Sequence, residues 1–515
     1  MRNVKNIQSR PPEVQRLLSR RSLARNTVLN LVGQGLPLVA GLVAIPLIVR
    51  GYGTDRFGLL TLAWAVIGYF SLFDLGLGRA ITQLVAERVG RHAQHEIPHL
   101  VWTGLSVMAV LGVIGAVAAF AISPWLAWSV LQIPDLLREE AMWAFMALAV
   151  SIPIVILSAG LTGVLIALQR FGTLNALRIP MGVLTFLAPI AVLPFSNSLF
   201  HVCIVLVAVR VIFLILYLVA CFKAFPSLRS DIGIERAQVG QLLRFGGWMT
   251  VTNVLGPLMV YLDRFVIGAS LSTTAVAYYA TPYEVVTKLW IIPAAVVSSL
   301  FPAFATAKGG DLSSAPELFS TGTRFVLLVL APIVLALVTF AREGLEIWLG
   351  VDFAQHSTTV LQWLAVGVFL NSLGHSPFAL IQGLGRPDLT AKLHALELPL
   401  YVLLLVWLLG EFGINGVAIA WVARVALDTV LLLTVAHRLL PALATPLRQI
   451  MPLVLVPLPL FLAGAMLDGL AVKVGFYCFA TVTVVSAAYL FSCSQAERQA
   501  LKVGLREFFE PSGSR

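Results

Sequence analysis

Seven charged side chains lie inside apolar runs long enough to cross a bilayer: Arg210, Asp263, Arg264, Glu284, Lys288, Arg424 and Asp428. A charge at that depth costs at least about 2.5 kcal/mol, so it faces a wet cavity or a charged partner. The chemistry open to such groups is electrostatic: the cations can hold an anion, and the acids can hold H+ or Na+. Asp263 and Arg264 are neighbours, so on a helix they point about 100° apart and do not pair with each other. Each either faces a cleft or closes an interhelical salt bridge that locks one conformation. Glu284 and Lys288 are four apart with the acid first, the favourable order on a helix. Tyr279 and Tyr283 precede them on a similar face. These four form either a self-neutralising pair that eases insertion or a polar strip facing a ligand. A buried pair rarely repays its desolvation in stability alone, which favours the strip. Arg424 has Asp428 one turn later, whereas Arg210 has no acid in its own run. Arg210 is therefore the leading candidate for an anion contact, the alternative being a partner on another helix such as Asp263.

Weaker polar signals accompany these charges. Asn26, Asn30 and Gln34 are spaced by four and share one helical face. They either line a cleft or hydrogen-bond between helices. Asn253 falls in the corresponding place later in the chain. Asp74, in FDLGLGRA, caps or pairs with Arg79 at the end of its run. His375 is a candidate proton carrier, or a polar packing residue. His92, His95 and His99 have near-helical spacing, which an amphipathic loop explains better than a metal site. The four cysteines have no metal-ligand spacing and are expected as small packing residues. No Gly-rich phosphate loop, nucleophile motif or metal cluster stands out, so no cofactor is expected and transport would draw on gradients, the membrane potential or substrate consumption.

The elements that hold these residues are membrane spans. Of 515 residues, 59% are hydrophobic and 12% charged, about half the charge fraction of a soluble domain. Mean hydropathy is +0.91. The expected fold class is therefore all-α and polytopic, with about fourteen spans. They run roughly 26–49, 57–77, 101–122, 143–169, 177–195, 200–221, 245–270, 276–305, 325–349, 359–384, 396–409, 414–436, 451–467 and 474–491. The net charge of +10 hints at nucleic acid, but its distribution excludes that. Seven Lys/Arg precede Asn26, and nineteen more, Arg170, Arg178 and Lys223 among them, fall in alternate loops and the C-terminal tail. The opposite side holds only Arg50, Arg56, Arg138, Arg342 and Lys473. This positive-inside bias puts both termini in the cytoplasm. The first 25 residues are polar and basic, and no cleavable signal peptide is expected. The outer loops are short, which counts against a membrane polymerase or acyltransferase.

A weak internal repeat sets the domain plan. Arg25 followed by 26–81 resembles Arg244 followed by 245–301, and Pro37 matches Pro257. Six spans separate the copies, so the repeats are parallel, related by an axis along the membrane normal. The expected plan is a basic tail (1–25), a six-helix lobe (26–223), a cytoplasmic linker (224–244), a second six-helix lobe (245–437), an extra helix pair (450–492) and a cytoplasmic tail (493–515).

The run YLDRFVIGASLSTTAVAYYATPYEVV…SSLFPAFA resembles the seventh and eighth spans of Wzx-type polysaccharide flippases. These share a superfamily with MATE exporters and MurJ lipid flippases. IPLIVRGYGTDRFGLLTLAWAVIGYFSLFDLGLGRA, EIWLGVDF, IQGLGRP and EFGINGVAIAWVARV agree in order along nearly the whole chain. The resemblance implies two six-helix lobes plus two extra spans working by alternating access. It implies an undecaprenyl-diphosphate-linked oligosaccharide as cargo, moved from the inner to the outer leaflet of the bacterial inner membrane for O-antigen, exopolysaccharide or capsule assembly. Membrane lipids, an H+ or Na+ counter-ion and a polysaccharide polymerase are the partners it suggests. In that family, cavity cations are thought to meet the anionic head group, and Arg210, Arg264, Lys288 and Arg424 have the matching character. Asp263, Glu284 and Asp428 would be the ion-coupling acids. The alternative from the same superfamily is a MATE-like exporter of small cations. Four buried cations against three buried acids weigh against it, as does the extra helix pair. The arginine arrangement expected of a MurJ-type lipid II flippase is not seen.

Overall fold

The computed structural model describes residues 20–72, 76–235, 239–240, 258–307 and 315–492, with side chains described from Gly35 onward except at 69–72, 299, 301–303, 305–307 and 491–492. Among the described residues the secondary structure is helical, without a strand. Chain this apolar must satisfy its backbone polar groups internally, and helices do so within each segment. Ten helical stretches among the described residues are long and apolar enough to cross a membrane. The chain is thus an all-α, multi-pass membrane protein, as expected. Asp74 and Asn253 lie outside the described residues, as do the side chains of Asn30 and Gln34.

The helices of the first half are α1 (Arg20–Tyr52), α2 (Thr54–Leu72), α3 (Leu77–Gly90), α4 (Ile97–Trp125), α5 (Asp135–Ala149), α6 (Ser151–Ala167), α7 (Phe171–Val192) and α8 (Leu199–Ala224). They are followed by α9 (258–270). Those of the second half are α10 (Thr273–Thr287), α11 (Ile291–Ala307), α12 (Ala315–Thr339), α13 (Ala341–Leu349), α14 (Val351–Gly383), α15 (Pro387–Leu439), α16 (Ala444–Leu455), α17 (Pro457–Ala465) and α18 (Leu470–Ala487). The chain divides into two compact units, Met1–Ala277 and Tyr278–Arg515.

In the first unit, α3, α4, α6 and α8 enclose a core of Ile81, Leu100, Val101, Met108, Val164 and Tyr217. The unit is tied at one end by Arg56 of α2, whose Nε and Nη2 donate to both oxygens of Glu140 on α5 at 3.0–3.2 Å. Glu140 also accepts the backbone N–H of Leu199, at the start of α8. The α9 region belongs to this unit. Gln132 N donates to Gly268 O at 2.8 Å, and the Thr273 and Thr274 hydroxyls donate to Asp55.

In the second unit, α14 is the most buried of the ten candidate spans, and its apolar residues are spread round the helix rather than gathered on one face. The α15 run is 53 residues long and is broken at Gly413 (φ 57°, ψ −139°), a backbone conformation that only glycine adopts cheaply. The chain folds back there. A Cβ on Gly416 would strike the Leu408 carbonyl, and Arg424 stacks on Tyr401 at 5.4 Å. The last three helices are held by Lys473 of α18, whose Nζ donates to Glu343 of α13 at 2.7 Å. Phe461 packs edge-on to Phe369 of α14, with centroids 5.2 Å apart.

Candidate functional site

Arg210 sits in the middle of α8 and lines a cavity of about 370 Å³ inside the first unit. Five donors sit on a guanidinium, and the Arg210 Nη1 donates to the Leu206 carbonyl one turn earlier at 3.2 Å. Arg178 of α7 lines the same cavity, with Ser158, Thr162 and Tyr217. Neither arginine forms an ion pair among the described residues. The walls are otherwise apolar, formed by residues such as Val155, Leu174 and Met181. Two unneutralised guanidiniums with hydroxyls in an apolar setting suit a di- or polyanion, because charge-assisted and bidentate hydrogen bonds to phosphate are strong and geometrically selective.

Arg178 counts among the inner-side charges, at the entry of the expected span 177–195, and the structure adds its depth in the helix. It lies two turns into α7, because that helix begins at Phe171. The signal was its register: Leu174, Arg178 and Met181 recur at helical spacing and all line the cavity. A second hollow of about 320 Å³ lies on the same helix pair, lined by Arg170 and Lys223. Along α8, Lys223 and Arg210 are 13 residues apart, about 20 Å at helical rise. Basic side chains thus mark the α7–α8 pair from its end to its interior.

The other expected site residues fall into separate groups. Asp263 and Arg264 on α9 are 0% and 2% exposed, in the interior of the first unit. Asp263 accepts the Arg264 backbone N–H at 2.7 Å, and the Arg264 guanidinium lies 5.4 Å from the Tyr261 ring centre. They do not line the Arg178–Arg210 cavity. Lys288 Nζ meets Glu284 at 3.3 Å, the i,i+4 pair expected from the spacing. Tyr279 and Tyr283 stack with centroids 6.1 Å apart, and Tyr283 packs edge-on to Trp421. His375 bonds through Nδ1 to the Asn371 carbonyl at 3.0 Å and lies beside Trp290. Asp428 meets His394 at 3.5 Å and comes close to Glu397. Sequence reading passed over His394 and Glu397, although their i,i+3 spacing at the start of an apolar run places both on one helical face.

The fold is that of known membrane transporters. An inward-facing MATE-family multidrug transporter of the MOP superfamily superposes with a TM-score of 0.69 at 15% identity, over 80% of this chain and 96% of that one. The lipid II flippase MurJ, in an inward closed conformation, also gives 0.69 at 11% identity, over 90% and 99%. A family model described as polysaccharide biosynthesis protein matches residues 23–308. A putative O-antigen transporter of Shigella flexneri is 31% identical over 416 residues, covering 80% of this chain and 97% of the relative. The lipopolysaccharide biosynthesis protein WzxC of Escherichia coli K12 is 24% identical over 79% of each chain. The chain belongs to the polysaccharide biosynthesis protein family.

Proposed function

We propose that this protein is a flippase that carries an undecaprenyl-diphosphate-linked oligosaccharide from the inner to the outer leaflet of the bacterial inner membrane. It does so by alternating access of two six-helix lobes, with both termini cytoplasmic, and supplies O-antigen, exopolysaccharide or capsule assembly and its polymerase. The observation that carries this is the cavity in which Arg178 and Arg210 face one space with no acid among its described lining residues, in a chain of the polysaccharide biosynthesis family. The sign of that cavity suits a diphosphate and repels the cationic cargo of a drug exporter. Outward movement of an anion is also favoured by an inside-negative potential, by about 2.3 kcal/mol per charge per 100 mV. Arg264, Lys288 and Arg424 are further head-group candidates, and Asp263, Glu284 and Asp428 are acids through which H+ or Na+ would couple. Asn30, Gln34, Asn253, Tyr279, Tyr283 and His375 are candidate polar lining.

The test is rescue of surface polysaccharide in a flippase-null strain. Arg210→Ala and Arg178→Ala should each lower it about tenfold or more, the worth of one charged hydrogen bond, at normal membrane levels. Arg210→Lys should recover part of it, because the charge returns without the bidentate fork. Full polysaccharide in both alanine variants would remove the assignment of this cavity.

A further inference from the structure

Three titratable side chains of the second unit converge where the limbs of α15 fold together. His394 and Glu397 lie before Gly413, and Asp428 lies after it. One ligand atom from each lies within 4.8 Å of the other two. Glu397 is 1% exposed and Asp428 7%. As ionised acceptors, neither carboxylate oxygen of Glu397 nor Oδ1 of Asp428 has a donor among the described residues; His394 Nε2 stands 3.5 Å from the latter, and the two carboxyls lie close enough to share a hydrogen bond when one carries a proton. Buried polar atoms are nearly always satisfied, so three such oxygens in one place need an explanation. The His394 ring lies parallel to Phe378, tilted by 13° at 6.2 Å, which turns its edge toward the acids.

Charge balance says what is missing. Glu397 and Asp428 bring two negative charges, and Arg424, one turn before Asp428, acts electrostatically on Glu397 and brings one positive charge. From the packed α14, His375 also feels Asp428, but its Nδ1 is committed to Asn371. With both histidines neutral, one negative charge stands uncompensated away from water, which is costly. A divalent ion would overshoot, and a single monovalent cation balances the cluster. Carboxylate oxygens and an imidazole are ligands for H+, and the oxygens serve Na+.

We propose that His394, Glu397 and Asp428 form a binding site for one monovalent cation, H+ or Na+. The site stands on this geometry; its role as the coupling-ion site rests on the transport reading above. His394 is seven residues from Pro387 and Asp428 eleven from Leu439, about 10 and 16 Å along the helix. The site is therefore sunk into the hairpin from the end that bears the basic residues Arg386, Lys392 and Arg438.

The purified full-length chain tests this without any glycan. In Na+-free choline buffer, equilibrium binding of radioactive Na+ is measured. In parallel, infrared difference spectra across a pH step follow the stretch of a protonated carboxyl. If the ion is Na+, the wild type binds one per chain and Glu397→Gln and Asp428→Asn lose it. If it is H+, Na+ does not bind, and the wild type shows a carboxyl band that both variants lose. A wild type with neither signal overturns the site, and so do signals unchanged in monodisperse variants. Because no glycan is present, a failed flippase reading leaves these signals intact. A chain that rescues polysaccharide yet binds neither cation overturns the site alone.

Discussion

A guanidinium or an imidazole acts through what surrounds it, and two residues show this in opposite settings. Arg210 is half-buried and lines an apolar cavity, so an anion reaching it meets little competing water, and each hydrogen bond is electrostatically stronger than in bulk. His99 lies at the polar entry of α4, just before the apolar stretch 101–122. Its Nε2 meets Asp231 at 2.8 Å and its Nδ1 meets Glu235 at 3.0 Å. The hydrogen bond to Asp231 raises the His99 pKa above the ordinary imidazole value. A raised folded value means that these bonds add their full stability to the docked segment 231–235 below about pH 6.5, and that this contribution fades as pH rises through the raised value. Limited proteolysis of this segment should therefore be slow at acidic pH and fast at alkaline pH. His99→Ala should be cut quickly at both.

At the scale of elements, close approach matters as much as charge. A Cβ at Gly58 of α2 would overlap the Thr273 carbonyl, beside the bonds from Thr273 and Thr274 to Asp55. Gly58→Ala must therefore push α2 away from the 258–277 segment, at about 1–3 kcal/mol of overpacking. A lowered thermal midpoint in detergent would report it, and an unchanged midpoint would show that the segment yields freely. The α15 hairpin makes the complementary point. The pairs 408/416, 401/424 and 397/428 sit almost evenly about Phe412. One glycine with a positive φ thus sets the register that brings His394 and Glu397 to Asp428. The expected spans 396–409 and 414–436 leave the turn to 410–413, but they do not say which side chains it would join.

For the molecule as a whole, the basic residues fall on alternate sides of the spans, and that asymmetry orients multi-pass proteins. Alkaline phosphatase fused after Ser196, in the loop between α7 and α8, should be active outside. The same enzyme fused after Arg515 should be inactive. Activity at Arg515 would reverse the proposed topology and, with it, the face from which the basic α7–α8 pair is approached.

Much of this was legible in the chain itself. Runs of apolar residues demand helices because a bilayer offers the backbone no partner, so fold class and most span positions follow from hydropathy. The i,i+4 pair Glu284–Lys288 follows from helical period alone. Residues brought together across helices were not legible. Arg178 joins Arg210 only through the packing of α7 on α8, and Glu397 meets Asp428 only because α15 doubles back at Gly413. Hydropathy and periodicity are properties of neighbours in sequence. A cavity or an ion site is a property of neighbours in space, and helix rotation and contact decide which charges share one.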